Sequence, residues 1–151
     1  QSKKKNLKPS FRLNAYSDIK LEKDIIKDGK NIFNLFPNVD FYDYTKLVNR
    51  NPPKNYQLTY SHHNADFKDT IKALNKGLNV AIVFEKLPKF IKIDGKKYGV
   101  LDGDKTDLRL NESYNGKNCI IGLKFKGSNA KLQDSILQGF CIAKNNQSLI
   151  N

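Results

Sequence analysis

Asp102, Gly103, Asp104, Lys105, Thr106 and Asp107 form the densest acidic stretch of the chain. Carboxylates at alternate positions can chelate a hard cation such as Mg²⁺ or Ca²⁺, which makes Asp102 and Asp104 the candidate metal ligands. The calcium-binding EF-hand pattern fails, because its turn glycine and closing glutamate are not at the required positions. The same residues equally suit a tight turn whose Asp side chains accept from backbone amides. Tyr42, Asp43, Tyr44, Thr45 and Lys46 form a second cluster. On a strand, Tyr42 and Tyr44 face one way and Asp43 and Thr45 the other. A charged Asp within an apolar strand is costly unless paired. Two readings follow: a catalytic site using Asp43, Lys46 and Asp102, with Lys46 or Lys124 partnering Asp43, or an edge strand with one wet face. His62 and His63 are the only histidines. Adjacent residues in an extended segment point apart, so the pair is not a chelate, and both are expected as exposed loop residues. Ser61 beside His62 is poor evidence of a nucleophile and base, since that relation is set by geometry. General acid–base chemistry stays open to one histidine.

These residues need strands and helices to hold them. Strand-like apolar segments are expected at residues 11–15, 39–44, 56–61, 79–84, 98–102, 119–125 and 140–143. A hairpin around Asp94 and Gly95 would pair residues 90–93 with 97–100. Helices are expected at residues 31–36, stopped by Pro37, and at 66–76, capped by Asp66 and closed by Gly77. The second helix leads into Asn79–Phe84 (NVAIVF), a continuous apolar run suited to a strand covered on both faces. Strand, helix and strand at this spacing make a right-handed βαβ unit. The expected class is therefore α/β, with a largely parallel sheet and a strand-rich C-terminal third.

In parallel α/β sheets, binding groups gather at the carboxyl ends of the strands. That rule selects Asn14, Asp18, Ser61, Lys124 and Lys126 as candidate ligand-binding residues, alongside Asp43, Lys46, Asp102 and Asp104. Gly116, Gly122 and Gly127 lack the spacing of a dinucleotide fingerprint, and no phosphate-binding Walker A loop is present.

Net charge is +12, carried almost wholly by lysine, since Arg12, Arg50 and Arg109 are the only arginines. A lysine excess attracts polyanions without reading sequence, a task for which arginine's planar fork is better suited. AT-rich coding is the competing explanation for abundant Lys and Asn. Cys119 and Cys141 are too few for a disulfide framework or a zinc cage, and point to buried thiols in a reducing compartment. No apolar run has membrane-spanning length, and no membrane partner is expected. Residues 1–10 read as a basic tail, 11–144 as a single α/β domain and 145–151 as a flexible tail. The Gln1 start suggests an upstream portion.

Six ordered blocks carry a resemblance: FRLNAYSD (11–18), FPNVDFYDYTK (36–46), NYQLTYS (55–61), NVAIVF (79–84), VLDGDKTDLRL (100–110) and IGLKFKG (121–127). Together they resemble an uncharacterised family of phage and plasmid proteins, over about residues 11–141. The resemblance implies part of a (β/α) barrel, corresponding to its C-terminal portion. It also implies an upstream Cys-containing segment, where a cysteine-bound metal or iron–sulfur cluster would sit. The chain departs from the pattern at Ala15 and Tyr16, where small residues such as Gly and Thr are expected.

Three functions remain open at this point. One is an accessory protein that binds nucleic acid or nucleotide through a Lys-rich surface. Another is the C-terminal part of a barrel-like enzyme with its site at the strand ends. The last is a virion-associated interaction protein within a viral assembly. The corresponding locations are the host cytoplasm or the virion, and no particular cofactor is implied by the residues themselves.

Overall fold

The computed structural model describes residues 7–146. The expectations for residues 1–6 and 147–151 lie outside the described residues. Within them, eight strands form one sheet: β1 (Ser10–Arg12), β2 (Asp40–Thr45), β3 (Tyr56–Ser61), β4 (Asn79–Phe84), β5 (Phe90–Ile93), β6 (Lys96–Asp102), β7 (Ile120–Lys124) and β8 (Cys141–Ile142). The helices are α1 (Ile32–Leu35), α2 (Lys68–Asn75) and α3 (Asn129–Leu137). The spatial order is β1-β2-β3-β4-β7-β6-β5, with β8 also on β4. Every pairing is parallel except the β5–β6 hairpin. The sheet is open. Its first four strands follow chain order as in a segment of a (β/α) barrel, and the β5–β6 hairpin interrupts that order before β7.

β4 explains the centre of the sheet. Val80, Ile82 and Phe84 are fully buried against Tyr60, Ile120 and Ile142, beneath Ala73 and Leu74 of α2. Its other side places Ala81 beside Cys119 and Ile121. Two-sided burial is why the run shows no polar alternation. Toward β1 the core is aromatic. Phe33 of α1 stacks on Tyr56 at 4.3 Å and meets Phe41 edge-on at 5.1 Å.

Local chemistry sets the helix ends. Asp66 Oδ1 accepts from the Lys68 amide at 2.8 Å, while Phe67 holds the cap position itself. After α2, Gly77 adopts φ +81. Its amide donates to Leu74 O and the Leu78 amide to Ala73 O, the paired bonds of a Schellman cap. Asp94 (φ 49) and Gly95 (φ 71) form the left-handed two-residue turn that matches strand twist in the β5–β6 hairpin.

Two junctions shape the edges of the sheet. β3 pairs with the first half of β4, through Asn79, Val80 and Ala81, and β8 pairs with the second half, through Val83 and Phe84. β3 therefore leaves the sheet after Ser61. On the far side, β6 pairs with β7 only over Val100, Leu101 and Asp102, so Lys96–Gly99 extends past the start of β7 at Ile120. Residues 103–118 connect β6 to β7 across the face opposite α1 and α2. They are pinned there by Arg109 on Tyr44, by a reciprocal Gln57–Asn111 amide pair, and by Tyr114 resting on Gly99. A Cβ at Gly99 would stand 2.2 Å from the Tyr114 ring, so glycine is what admits this contact.

Candidate functional site

The carboxyl edge of the parallel strands gathers most of the residues singled out from the sequence. Asp43 is fully buried. One oxygen accepts the Leu13 and Asn14 amides at 3.1 and 2.8 Å, and the other accepts the Tyr56 hydroxyl at 2.7 Å. Its partners are thus backbone amides, a phenol and, at 3.4 Å, the Asn14 side-chain amide, not Lys46 or Lys124. Burial, and then the carboxylate it donates to, raises the Tyr56 pKa. Asn14 is buried and donates to the Ile19 carbonyl. Asp18 accepts from Thr45 Oγ1 at 2.7 Å, from the Lys46 amide at 2.6 Å and from Arg50 at 3.2 Å. Arg50, buried itself, also forks onto Glu22. These groups brace the β1–α1 connection against β2.

The acidic stretch is a turn. Asp102 Oδ1 accepts the Asp104 amide, and Asp104 accepts the Lys124 amide at 2.9 Å and the Lys126 ammonium at 2.9 Å. The Lys124 amide, followed by Lys126, holds the Asp104 carboxyl below its ordinary range. Arg109 organises the next residues. Its side chain is 1% exposed and donates to Tyr44 Oη at 2.6 Å, Glu112 at 2.8 Å and the carbonyls of Gly103 and Thr106. Among the described residues, no group of three or more His, Cys, Asp or Glu side chains could hold a metal ion. Cys119 and Cys141 are both buried, and burial pushes their thiols up to about 11. The described residues therefore do not fit a cysteine-bound cluster.

Two adjoining hollows open on this edge, of about 510 and 330 Å³. Arg12, Tyr44 and Ser61 line both; Lys126 borders the larger and Lys46 the smaller. The Arg12 guanidinium lies 5.0 Å from the Tyr44 ring centre and pairs with Asp107 at 3.1 Å. Ser61, Lys46 and Lys126 thus border the hollows, while Asn14, Asp18 and Asp104 line them with side chains already bonded to protein. Asp43 lies within the fold, and Lys124 borders a further hollow near Phe140 that shares Asp104, Leu123 and Lys126 with the larger one. Arg12 and Tyr44 are not among the residues that the strand-end rule selects, although Tyr44 belongs to the cluster on β2. The alternation of β2 placed Tyr44 opposite Asp43, and that was the available signal.

His62 departs from the expected exposed loop residue. It is 2% exposed and bonds Thr70 Oγ1 through Nδ1 at 2.8 Å. It lies 4.2 Å from the Phe67 ring, where α2 begins. Burial lowers its pKa from 6.5 to about 4, with the Gly139 backbone opposing the shift. Neutral His62 is thus built into the fold, and the unfolded chain takes up its proton first. Stability from this group is complete above pH 6.5 and is lost as pH falls towards 4. Urea unfolding at pH 7 and pH 5 should differ by about 2 kcal/mol more in the wild type than in His62→Gln. Equal pH dependence in the two proteins would show that His62 does not titrate in this way.

A larger groove, about 620 Å³, opens at the opposite, amino edge where β6 extends past the start of β7. Lys96, Lys97 and Lys117 line it with Phe90, Tyr98 and Tyr114, and Asn75, Asn115 and Asn118 add amides. No carboxylate lines it. Phe90 is 39% exposed, meets Tyr114 edge-on at 5.6 Å, and carries the Lys97 ammonium 4.1 Å from its ring centre. Asn115 (φ 52) and Gly116 (φ 74) form the turn that presents Tyr114 and Lys117 on one wall. The carboxyl-end rule could not find this groove, which depends on the register of two strands.

Comparison with curated proteins and with solved structures gives no match. The model of one family, described as Gene product 88, matches residues 1–144. A match over nearly the whole chain is consistent with a phage-type protein, and the chain belongs to the Gene product 88 family.

Proposed function

We propose that the protein binds single-stranded nucleic acid, without choosing its base sequence, in the amino-edge groove. The observation that carries this reading is the lining itself: three lysines and three aromatic rings with no carboxylate among them. Single strands are held by positive charge along the backbone together with aromatic faces on which any base can stack. Phe90 and Tyr114 offer those faces. Lys97, now over Phe90, would pass to a flanking phosphate when a base takes its place on the ring. Lys96 and Lys117 supply the remaining contacts, and the +12 net charge adds long-range attraction. Lysine in place of arginine suits affinity without base readout.

Labelled single- and double-stranded oligonucleotides titrated across a salt series test this. Three ammonium–phosphate contacts on a single strand give a log–log slope of about −2 or steeper. Lys97→Gln with Lys117→Gln should flatten that slope by about 1.4. Phe90→Ala should weaken single-strand binding by about 5- to 100-fold, the range for one lost stacking contact. Absence of binding at low salt, or a slope untouched by the lysine pair, would refute the proposal.

A further inference from the structure

Hydrogen-bond accounting at the carboxyl edge leaves a one-sided remainder. Each carboxylate lining the two hollows already has a donor within the fold. Asp18 is held by Thr45, the Lys46 amide and Arg50; Asp104 by the Lys124 amide and Lys126; Asp107 by Arg12. The donors are not filled. Arg12 Nε is enclosed with no partner. Tyr44 Oη accepts from Arg109 Nε, and its own proton has no acceptor among the described residues. Ser61 lines both hollows and Lys46 the smaller one, and the Ser61 hydroxyl and Lys46 ammonium have no partner among the described residues. Three donors without a described partner, on Tyr44, Ser61 and Lys46, beside the partly exposed Arg12 guanidinium, suit a ligand rich in acceptor oxygens. Apart from its contact with the Tyr44 ring, Arg12 is tied to Asp107, whose side chain is 67% exposed, so that a stronger anion can displace this ion pair.

We infer that these hollows form a second binding site, for a small phosphate monoester, held by Arg12, Tyr44, Ser61 and Lys46. A doubly charged phosphate has three terminal oxygens to meet several donors at once, and the guanidinium fork matches its geometry. The organic part of the ligand extends into the larger hollow toward Leu123 and Lys126. The position agrees with the general siting of ligands at the carboxyl ends of parallel strands. It lies at the opposite sheet edge from the lysine–aromatic groove and stands independently of the nucleic-acid proposal.

The test is calorimetric titration of the whole chain with ribose 5-phosphate, and with succinate as a carboxylate of similar charge. Saturable binding of the phosphate, at least tenfold tighter than succinate, is expected. Arg12→Gln should weaken it at least tenfold and Ser61→Ala several-fold, whereas Lys97→Gln with Lys117→Gln should leave it unchanged. If Arg12→Gln does not fold, Ser61→Ala decides. Absence of saturable phosphate binding, equal binding of succinate, or undiminished binding in both variants would overturn the inference.

Discussion

Replacing Asp43 with alanine is expected to destabilise the protein by about 3–5 kcal/mol, the cost of stripping one partner from a buried charged network. The carboxylate is fully enclosed and accepts from the Leu13 and Asn14 amides and the Tyr56 hydroxyl. Removing it leaves three donors with nothing to bond in a site closed to water. Asp43→Asn keeps one acceptor oxygen but turns an amide toward the Tyr56 side, so it should cost less, about 2–3 kcal/mol. Chemical denaturation of the two variants checks the order. A catalytic role confined to Asp43 would instead leave stability nearly intact in both. The sequence marked Asp43 as anomalous because a charge in an apolar strand demands a partner. The partners, two backbone amides at the end of β1, lie about thirty residues away along the chain and leave no pattern in the sequence.

Arg109→Met is the second large effect, expected at about 3–5 kcal/mol. The guanidinium bonds Tyr44, Glu112 and the carbonyls of Gly103 and Thr106, all in a setting where its side chain is 1% exposed. Methionine fills comparable volume but leaves Glu112 with a charge that burial already disfavours; its pKa is raised by desolvation, with Arg109 pulling the other way. Glu112→Gln should therefore recover part of the loss in the double variant, and a mutant cycle measures that coupling. Residues 103–118 should also exchange amide hydrogens faster in Arg109→Met. Because this segment carries Tyr114 and Lys117, oligonucleotide binding should weaken as well. Unchanged exchange there would mean that Arg109 does not hold the segment on the sheet.

What could be read from the chain follows from how local each signal is. β3 and β4 have the expected bounds because turn chemistry brackets each apolar run, whereas the hairpin pairs residues 90–93 with 96–99, one residue earlier than the expected 97–100, because the two-residue Asp94–Gly95 turn sets Lys96 opposite Ile93. β1 is shorter than expected, since the Leu13 and Asn14 amides turn away from the ladder to Asp43. α3 carries only a weak signal, since Leu132 and Ile136 stand four residues apart but neither is fully buried. His62 was misplaced for a different reason. Its burial comes from Phe67 and from the approach of Gly139, a glycine whose Cβ would meet the Ala65 backbone at 2.3 Å. The carboxyl-edge residues were legible as a group, since strand ends alone locate them. Which of them remain free to meet a ligand depends on side-chain pairing across the sheet. The amino-edge groove rests on β6 running past the start of β7, a register effect with no marker among the abundant lysines.

The central claim is that nucleic acid occupies that groove. Titrating an isotope-labelled sample with a short single-stranded oligonucleotide, while following backbone amide resonances, locates the contact directly. The proposal expects shifts clustered at Phe90, at Lys97 to Gly99 and at Tyr114 to Asn118, saturating together and fading as salt is raised. Shifts centred on Arg12 and Ser61 at the other edge, or no shifts at low salt, would contradict it.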